Sequence, residues 1–497
     1  MKKQLVAFFL ILLAVIELEA EIRSIWVLPW DMQSPKIIDE VIQNAIQNNQ
    51  NELILEVRYR SDALYTPNRR SSKYSNPEPR SYILANNDFD PLEYAIEKAK
   101  PFNLRIQAWV VAFNATPIAT QMIQENYIFR YHPEWITYDV DGKKMRLTDQ
   151  YGYFIDPGIQ AVQEYLTNVF CDIVDGYPDL DGLHLDYVRY PESWLGYHPE
   201  SLKRFQEEGK DISWNQWRTK QVTDFVRNLN QRIKEINPEI LLTAAVIADI
   251  NSARESYAQD WYAWLEEGII DLAYPMAYDL DFGIYRNQLI NMKLYSLEDR
   301  VVLGLRAWDQ SGKSLLPWEN NSYNITDIYR RIELARKNDF RGIALFSYSG
   351  LKPGNALSHL ALLAYPFIDE LEVMPLLSNK FEDHAIRCCS QYVSKICDAS
   401  TLIKDNHILE PEIEIKDTYY VIHFYLPREG RWHWRILNNN GYEIYDRKGY
   451  FLAGTAQEYW NGILNNGIQI TAGNYILEYR LENQVYQTKI FIPGEID

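Results

Sequence analysis

Between residues 21 and 371 the chain alternates short, nearly continuous apolar runs with longer stretches whose apolar positions recur every three to four residues. Runs that are apolar on both faces are those of parallel strands covered by helices on either side. Eight occur, at 22–27, 52–57, 104–111, 182–186, 240–246, 271–275, 301–305 and 342–346. The stretches between them carry helix-start signals. Ser34-Pro35, Asp90-Pro91 and Asp156-Pro157-Gly158 each offer a side-chain oxygen for free backbone N–H groups, and a proline suited to a first turn. Eight such repeats predict an α/β fold, a closed (β/α)8 TIM barrel spanning 21–371. The segments 58–90, 112–157 and 187–213 come after the second, third and fourth strands and are long and rich in aromatic residues. Their position after strands puts them on the C-terminal face, where such barrels keep their chemistry.

The texture changes past residue 371. Residues 372–409 read as a connector, and 410–497 alternate with period two in YYVIHFYLP, GRWHWRILN, NYILEYRL and VYQTKIFIP, separated by turn signals such as Asn439-Asn440-Gly441. That pattern predicts a small all-β sandwich of Ig-like size. At the other end, Lys2 and Lys3 precede an apolar run from Leu5 to Ile16, with Ala20 at a plausible cleavage point. Residues 1–20 therefore read as a signal peptide, with an uncleaved anchor as the alternative. The protein is expected outside the cytoplasm of a bacterium, secreted or in the periplasm or envelope, with no stable membrane span after signal removal. In that setting Cys397 can pair with Cys388 or Cys389, and Cys171 reads as a free buried thiol.

Composition narrows the partners. Lys plus Arg number 50 against 68 Asp plus Glu, a net charge of −18 in 497 residues, with no basic cluster. Nucleic acid is therefore not an expected partner, since binding it requires phosphate neutralisation. The strongest chemical signal is DGLHLDYVRYP, Asp181 to Pro191, in which Asp186 ends the fourth apolar run. A carboxylate at a strand tip is costly unless partnered or used. Acid–base chemistry at such a strand tip commonly works with a second carboxyl group. Candidates are Asp249 after the fifth strand, Asp279 and Asp281 after the sixth, and Asp309 after the seventh, with Asp249 and Asp279 favoured. No Glu comes after the fourth or fifth strand at an acid position. Candidate substrate-binding residues near strand ends are Arg58, Trp109, His184, Tyr187, Arg189, Tyr278, Trp308 and Tyr348. Flat aromatic side chains suit the apolar faces of sugar rings. With eight His in the chain and no His-x-His or His-Glu-x-x-His pair, neither a metal nor a cofactor is expected.

The blocks EIRSIWV, LEVRYRSDALY, FDPLEYAIEKAKPFNLRIQAWV, HPEW, FIDPGIQAVQEYL, DGLHLDYVRYP, QDWYAWLEEGIIDLAYPMAY and GIALFSYSGL, in that order, resemble the glycosyl-hydrolase-10-like family. The resemblance implies a TIM barrel and glycoside hydrolase activity on bacterial polysaccharide. Some relatives act on peptidoglycan glycan strands. The segment GYEIYDRKGYFLAGTAQEYWNGILNNGIQITAGNYIL resembles the FlgD-type Ig-like module, which implies docking to the envelope or to another protein. The expectation is thus a secreted glycoside hydrolase. The alternatives are a non-catalytic carbohydrate-binding or envelope-structural protein on the same barrel and, more weakly, a hydrolase of another bond such as an amide.

Overall fold

A computed structural model describes residues 21–84, 88–147, 152–209, 211–317 and 323–364, together with strands between 412 and 492. Residues 1–20, the connector and Cys388, Cys389 and Cys397 lie outside the described residues. The chain divides into two compact units, Met1–Glu372 and Val373–Asp497.

The first unit is built on β1 (Ile22–Val27), β2 (Glu52–Arg58), β3 (Arg105–Val111), β4 (Gly182–Asp186), β5 (Leu241–Ile247), β6 (Leu272–Ala277), β7 (Val302–Arg306) and β8 (Gly342–Phe346). These strands run parallel in sequence order, and β8 pairs with β1 to close the barrel. Eight principal helices surround it: α1 (Pro35–Gln47), α2 (Pro91–Ala99), α3 (Gln160–Gly176), α4 (Trp214–Ile236), α5 (Trp261–Glu266), α6 (Phe282–Leu294), α7 (Ile325–Lys337) and α8 (Ala356–Ala364). The TIM barrel foreseen from the apolar runs is therefore present. The start signals act differently in detail. Asp90 accepts the Glu93 N–H and caps α2, whereas Ser34 makes no side-chain bond and leaves the start of α1 to Pro35. No helix among the described residues is long and apolar enough to cross a membrane.

Closing eight strands sends alternate side chains into one interior, and here that interior is partly polar. Trp26, Ile54, Trp109, Val111 and Tyr274 pack together within it. Gly304 makes room for Trp26, since a Cβ there would lie 3.1 Å from the indole Cη2. Among these rings runs a one-way chain of hydrogen bonds. Trp26 Nε1 donates to His184 Nε2 at 3.2 Å, and His184 Nδ1 lies 2.8 Å from Thr243 Oγ1. Thr243 Oγ1 donates to Gln107 Oε1 at 2.6 Å, Gln107 Nε2 to the Tyr274 hydroxyl at 3.0 Å, and that hydroxyl to Glu52 Oε1 at 2.7 Å. Because Thr243 spends its one proton on Gln107, His184 must carry its proton on Nδ1. Ser24 also donates to Glu52, and Arg105 Nη2 lies 3.1 Å from Glu52 Oε2. The chain therefore ends on a buried carboxylate with a cationic partner, the condition under which a charge is tolerated inside a protein. Burial pushes the His184 imidazole down to about 3, so it stays neutral.

The second unit holds two antiparallel sheets among its described residues. One has the order β13 (Gly454–Trp460), β10 (Tyr419–Leu426), β9 (Glu412–Lys416), and the other β12 (Glu443–Phe451), β11 (Gly430–Leu437), β14 (Gly473–Leu481), β15 (Gln484–Ile492).

The barrel interior generates two expected outcomes. Glu52→Ala leaves Tyr274, Ser24 and Arg105 without their acceptor and is expected to lower unfolding stability by about 3–5 kcal/mol in urea titrations, with Glu52→Gln losing less. His184 binds its proton in the unfolded chain below its ordinary value of 6.5, but in the folded chain only near pH 3. Its contribution is therefore intact above pH 6.5 and is lost as pH falls toward 3, by about 2 kcal/mol at pH 5. Denaturant midpoints at pH 7 and pH 5 measure this, and the difference should shrink in His184→Gln.

Candidate active site

The chemistry gathers where the polar chain runs out, at the C-terminal ends of β2, β3 and β4. Glu52, Ile54 and Glu56 alternate along β2, so Glu56 points inward one layer above Ile54. His184 and Asp186 share the inward face of β4 in the same way, and Asp186 stands above the imidazole at the rim. Glu56 is level with Trp109 of β3, and Trp109 with His184. The two carboxyl groups thus rise from strands separated by β3 alone, with backbones about 10 Å apart across the sheet. They are electrically coupled, each within reach of the Arg60 guanidinium.

Their surroundings differ. Asp186, 7% exposed, accepts the Tyr187 backbone N–H at 2.6 Å and the Trp109 Nε1–H at 3.2 Å. Burial pushes its carboxyl up. Those two donors, with the charges of Arg189 and Arg60, pull it back toward the ionised form. Glu56, 3% exposed, receives no hydrogen bond among the described residues and has only Arg60 Nη1 at 3.8 Å. Burial raises its carboxyl well above the ordinary glutamate value. Arg60 opposes that, and the nearby charges of Asp186 and Asp62 add to it. Both carboxyls end up raised, Glu56 the further, so a single proton between them rests on Glu56 and Asp186 ionises first.

The backbone contributes to this arrangement. Tyr187 has a φ of 49°, in the left-handed region, and that turn aims its N–H back at the preceding carboxylate. A non-glycine residue held there costs of order 1 kcal/mol and is concentrated at functional sites. Its ring lies against both guanidinium groups, 5.0 Å from Arg189 and 5.8 Å from Arg60.

Across the barrel mouth, half-buried Tyr278 and Trp308 meet Phe346 in a cluster with ring separations of 5.2–5.6 Å. Phe346 also touches Trp26 and Trp109, forming the floor between this wall and the carboxyl pair. Burial and the Asp186 charge raise the Tyr278 phenol well above its ordinary value, so it is a neutral donor.

Several residues expected at the site are occupied elsewhere. Arg58 is fully buried and forks onto Glu78, with Nε 2.9 Å from each oxygen and Nη2 2.6 Å from Oε1, which makes it a structural ion pair rather than a substrate ligand. His184 is sealed in the barrel interior and its ring nitrogens are both engaged, so it does not meet substrate. Tyr348 is buried, and its hydroxyl accepts Asn44 Nδ2 at 2.7 Å, anchoring α1. Arg189 is buried, stacked over Tyr187 and Tyr257, and acts on Asp186 through charge. Trp109 is almost wholly buried and holds Asp186.

The carboxylates weighed as partners for Asp186 also have other work. Asp249 accepts Ser252 N–H at 2.7 Å as the cap of the short helix Ile250–Tyr257. Asp279 is exposed and accepts Asp281 N–H at 2.8 Å, and Asp281 caps α6. Asp309 is bonded to Ser311. The residue that sequence reasoning passed over is Glu56. Its signal was present in ELILE, where two carboxylates four apart share one strand face and the second falls at the catalytic end. Among the described residues no group of three or more His, Cys, Asp and Glu is placed to hold a metal ion.

A family model described as Glycosyl hydrolase-like 10 matches residues 21–294. Glycosyl hydrolase YngK of Bacillus subtilis (strain 168) is 23% identical over 366 residues, covering 64% of this chain and 67% of that protein. Glycosyl hydrolase DigH of Escherichia coli (strain K12) is 26% identical over 224 residues, 39% of this chain and 48% of the relative, so the match spans about half of DigH. The catalytic domain of a beta-amylase from Paenibacillus polymyxa superposes with a TM-score of 0.47 at 9% identity, over 69% of this chain and 97% of that one.

Trp109→Phe keeps the ring and removes the donor that favours ionised Asp186. The Asp186 carboxyl should then titrate at higher pH, which carbon-13 NMR of labelled aspartate can track. An unchanged titration would remove Trp109 from control of this group.

Proposed function

The chain belongs to the Glycosyl hydrolase-like 10 family, and from that membership we propose that it hydrolyses O-glycosidic bonds of a bacterial envelope or environmental polysaccharide, with Glu56 and Asp186 as its two working carboxyl groups. The observation that carries this reading is the split between two buried, coupled carboxyls at the tips of β2 and β4, one strand apart. Glycoside hydrolysis needs one carboxyl that arrives protonated and one that arrives ionised. Glu56 meets the first requirement, since burial and two like charges favour its proton. It would deliver that proton to the glycosidic oxygen as the bond to the anomeric carbon breaks. Asp186 meets the second. Its ionised form is held by Tyr187 N–H and Trp109 Nε1–H, and it faces the positive charge that grows on the sugar ring. Water then supplies hydroxide to the anomeric carbon and restores the proton to the pair. Tyr278, Trp308 and Phe346 offer ring faces for the sugar across the mouth.

The substrate and the site of action belong to the same proposal. A chain exported by the apolar leader at 5–16 would meet envelope or environmental glycans, and the relatives named glycosyl hydrolase support the bond class. Peptidoglycan glycan strands are the first substrate to try.

Digestion of a panel of peptidoglycan and other polysaccharides by wild type, Glu56→Gln and Asp186→Asn tests the roles. Each variant is expected to release product at least roughly a hundredfold more slowly. Activity of the wild type should fall as pH rises through the elevated Glu56 value, because the acid loses its proton, and as pH drops far enough to protonate Asp186. Equal product from wild type and both variants would sink the assignment. Glycan binding without hydrolysis by any form would favour a binding protein on the same barrel.

A further inference from the structure

We propose that the rim above β1 and β2 carries a second sugar-binding platform, formed by Trp30, Tyr59 and Tyr82, which seats a pyranose unit of a longer glycan beside the one at the carboxyl pair. The proposal rests on the glycan reading above and extends it to the length of chain the site takes. Trp30 sits in the turn Pro29–Asp31 just beyond β1, Tyr59 directly after β2, and Tyr82 further along the same loop, so all three stand on the catalytic face. Trp30 is 48% and Tyr82 54% exposed. Trp30 packs edge-on to Tyr59 at 5.4 Å.

These rings are held in place. Pro29, Asp31 and Met32 on either side of Trp30 are buried. Asp31 accepts Lys352 Nζ at 3.0 Å and the Ser349 hydroxyl, which ties the turn to the segment after β8. The platform is also continuous with the acid. The Arg60 guanidinium lies 4.3 Å from the centre of the Tyr59 ring and 3.8 Å from Glu56. Tyr82 feels the same surroundings, since burial, Tyr59 and Asp62 push its phenol up to about 12, and it stays a neutral hydroxyl able to donate. Fixed, exposed aromatic faces with neutral hydroxyl groups at the edge suit a sugar ring, which has an apolar face and a polar rim. Tyr278 and Trp308 occupy another arc of the same mouth. A glycan that touches both surfaces passes over the carboxyl pair, so the bond cleaved lies inside a polymer rather than at its tip.

The test uses the full chain with denuded peptidoglycan glycan strands and with the disaccharide fragment of the same glycan as probes. Binding is read by affinity electrophoresis or tryptophan fluorescence, and hydrolysis separately by product release. Trp30→Ala and Tyr82→Ala should each bind long strands about three- to tenfold more weakly, with disaccharide binding unchanged and Trp30→Phe restoring most of the loss. Unchanged binding of long strands by both alanine variants overturns the platform, as does a wild type that binds long strands no better than the disaccharide. Weakened strand binding in the variants, together with a wild type that hydrolyses nothing, would sink the glycosidase reading and leave the platform standing.

Discussion

Eight strands closed into a ring share one interior, and every inward side chain must be satisfied there without water. In this protein that requirement is met by a single directed chain of donors ending on Glu52. Each member has one way to point once its neighbours are fixed. Glu52 can only accept, Tyr274 and Ser24 must give to it, and the sense propagates upward through Gln107 and Thr243 until His184 has a single tautomer left. Such a network is stable when complete and costly when one link is missing. It sets the layer on which Trp26, Trp109 and Phe346 rest, and so the floor of the mouth above.

The mouth begins where satisfaction stops. Asp186 and Glu56 stand on inward positions like those below them, yet neither is absorbed into the network. The difference between them comes from a few local groups. Two N–H donors reach Asp186 and none reaches Glu56 among the described residues, and Arg189 adds to Asp186 a cation beyond the Arg60 that both share. Like charges so placed cannot both ionise freely, and the proton settles on the carboxyl with fewer donors. A net charge of −18 over the chain makes this local grouping of arginines the more telling, since the surroundings as a whole supply negative charge.

The fold was legible because burial on both faces of a strand leaves an apolar run of five to eight residues, and eight such runs coincide with β1 to β8 to within one or two residues at the ends. Asp186 was legible for a related reason, as a charge that interrupts the pattern at a strand tip. Its partner was not, because a carboxylate within a strand does not stand out from the apolar run around it. Glu56 is inside one, where a run such as ELILEVR reads as core. Helix caps misled in the other direction. Asp249 and Asp281 lie near the rim and look like acids in sequence, but the free N–H groups of a helix start have first claim on them. Arg58, His184 and Tyr348 show that a polar residue near a strand end is as often holding the barrel together as facing its mouth. Only the positions of Glu78, Thr243 and Asn44, far away in sequence, reveal which.

One irregularity in β2 reconciles these two uses of polar residues. Strict alternation would turn Arg58 inward beside Glu56, where a fixed cation would hold the acid ionised. The pairing with β3 slips between the two, so that Glu56 faces Trp109 while Arg58 faces Val110. An extra residue on one strand reverses the facing of the residues beyond it, the usual effect of a β-bulge near an active site. Arg58 then turns outward to Glu78, to the Val111 and Ala112 carbonyls and to the Phe170 ring of α3, and braces the β2–β3 edge from behind. Glu56 is left inward with the weaker, more distant Arg60 as its cation. The same seven-residue strand thereby supplies the structural charge at its foot in Glu52, the brace at its end in Arg58, and between them a carboxyl free enough to keep its proton.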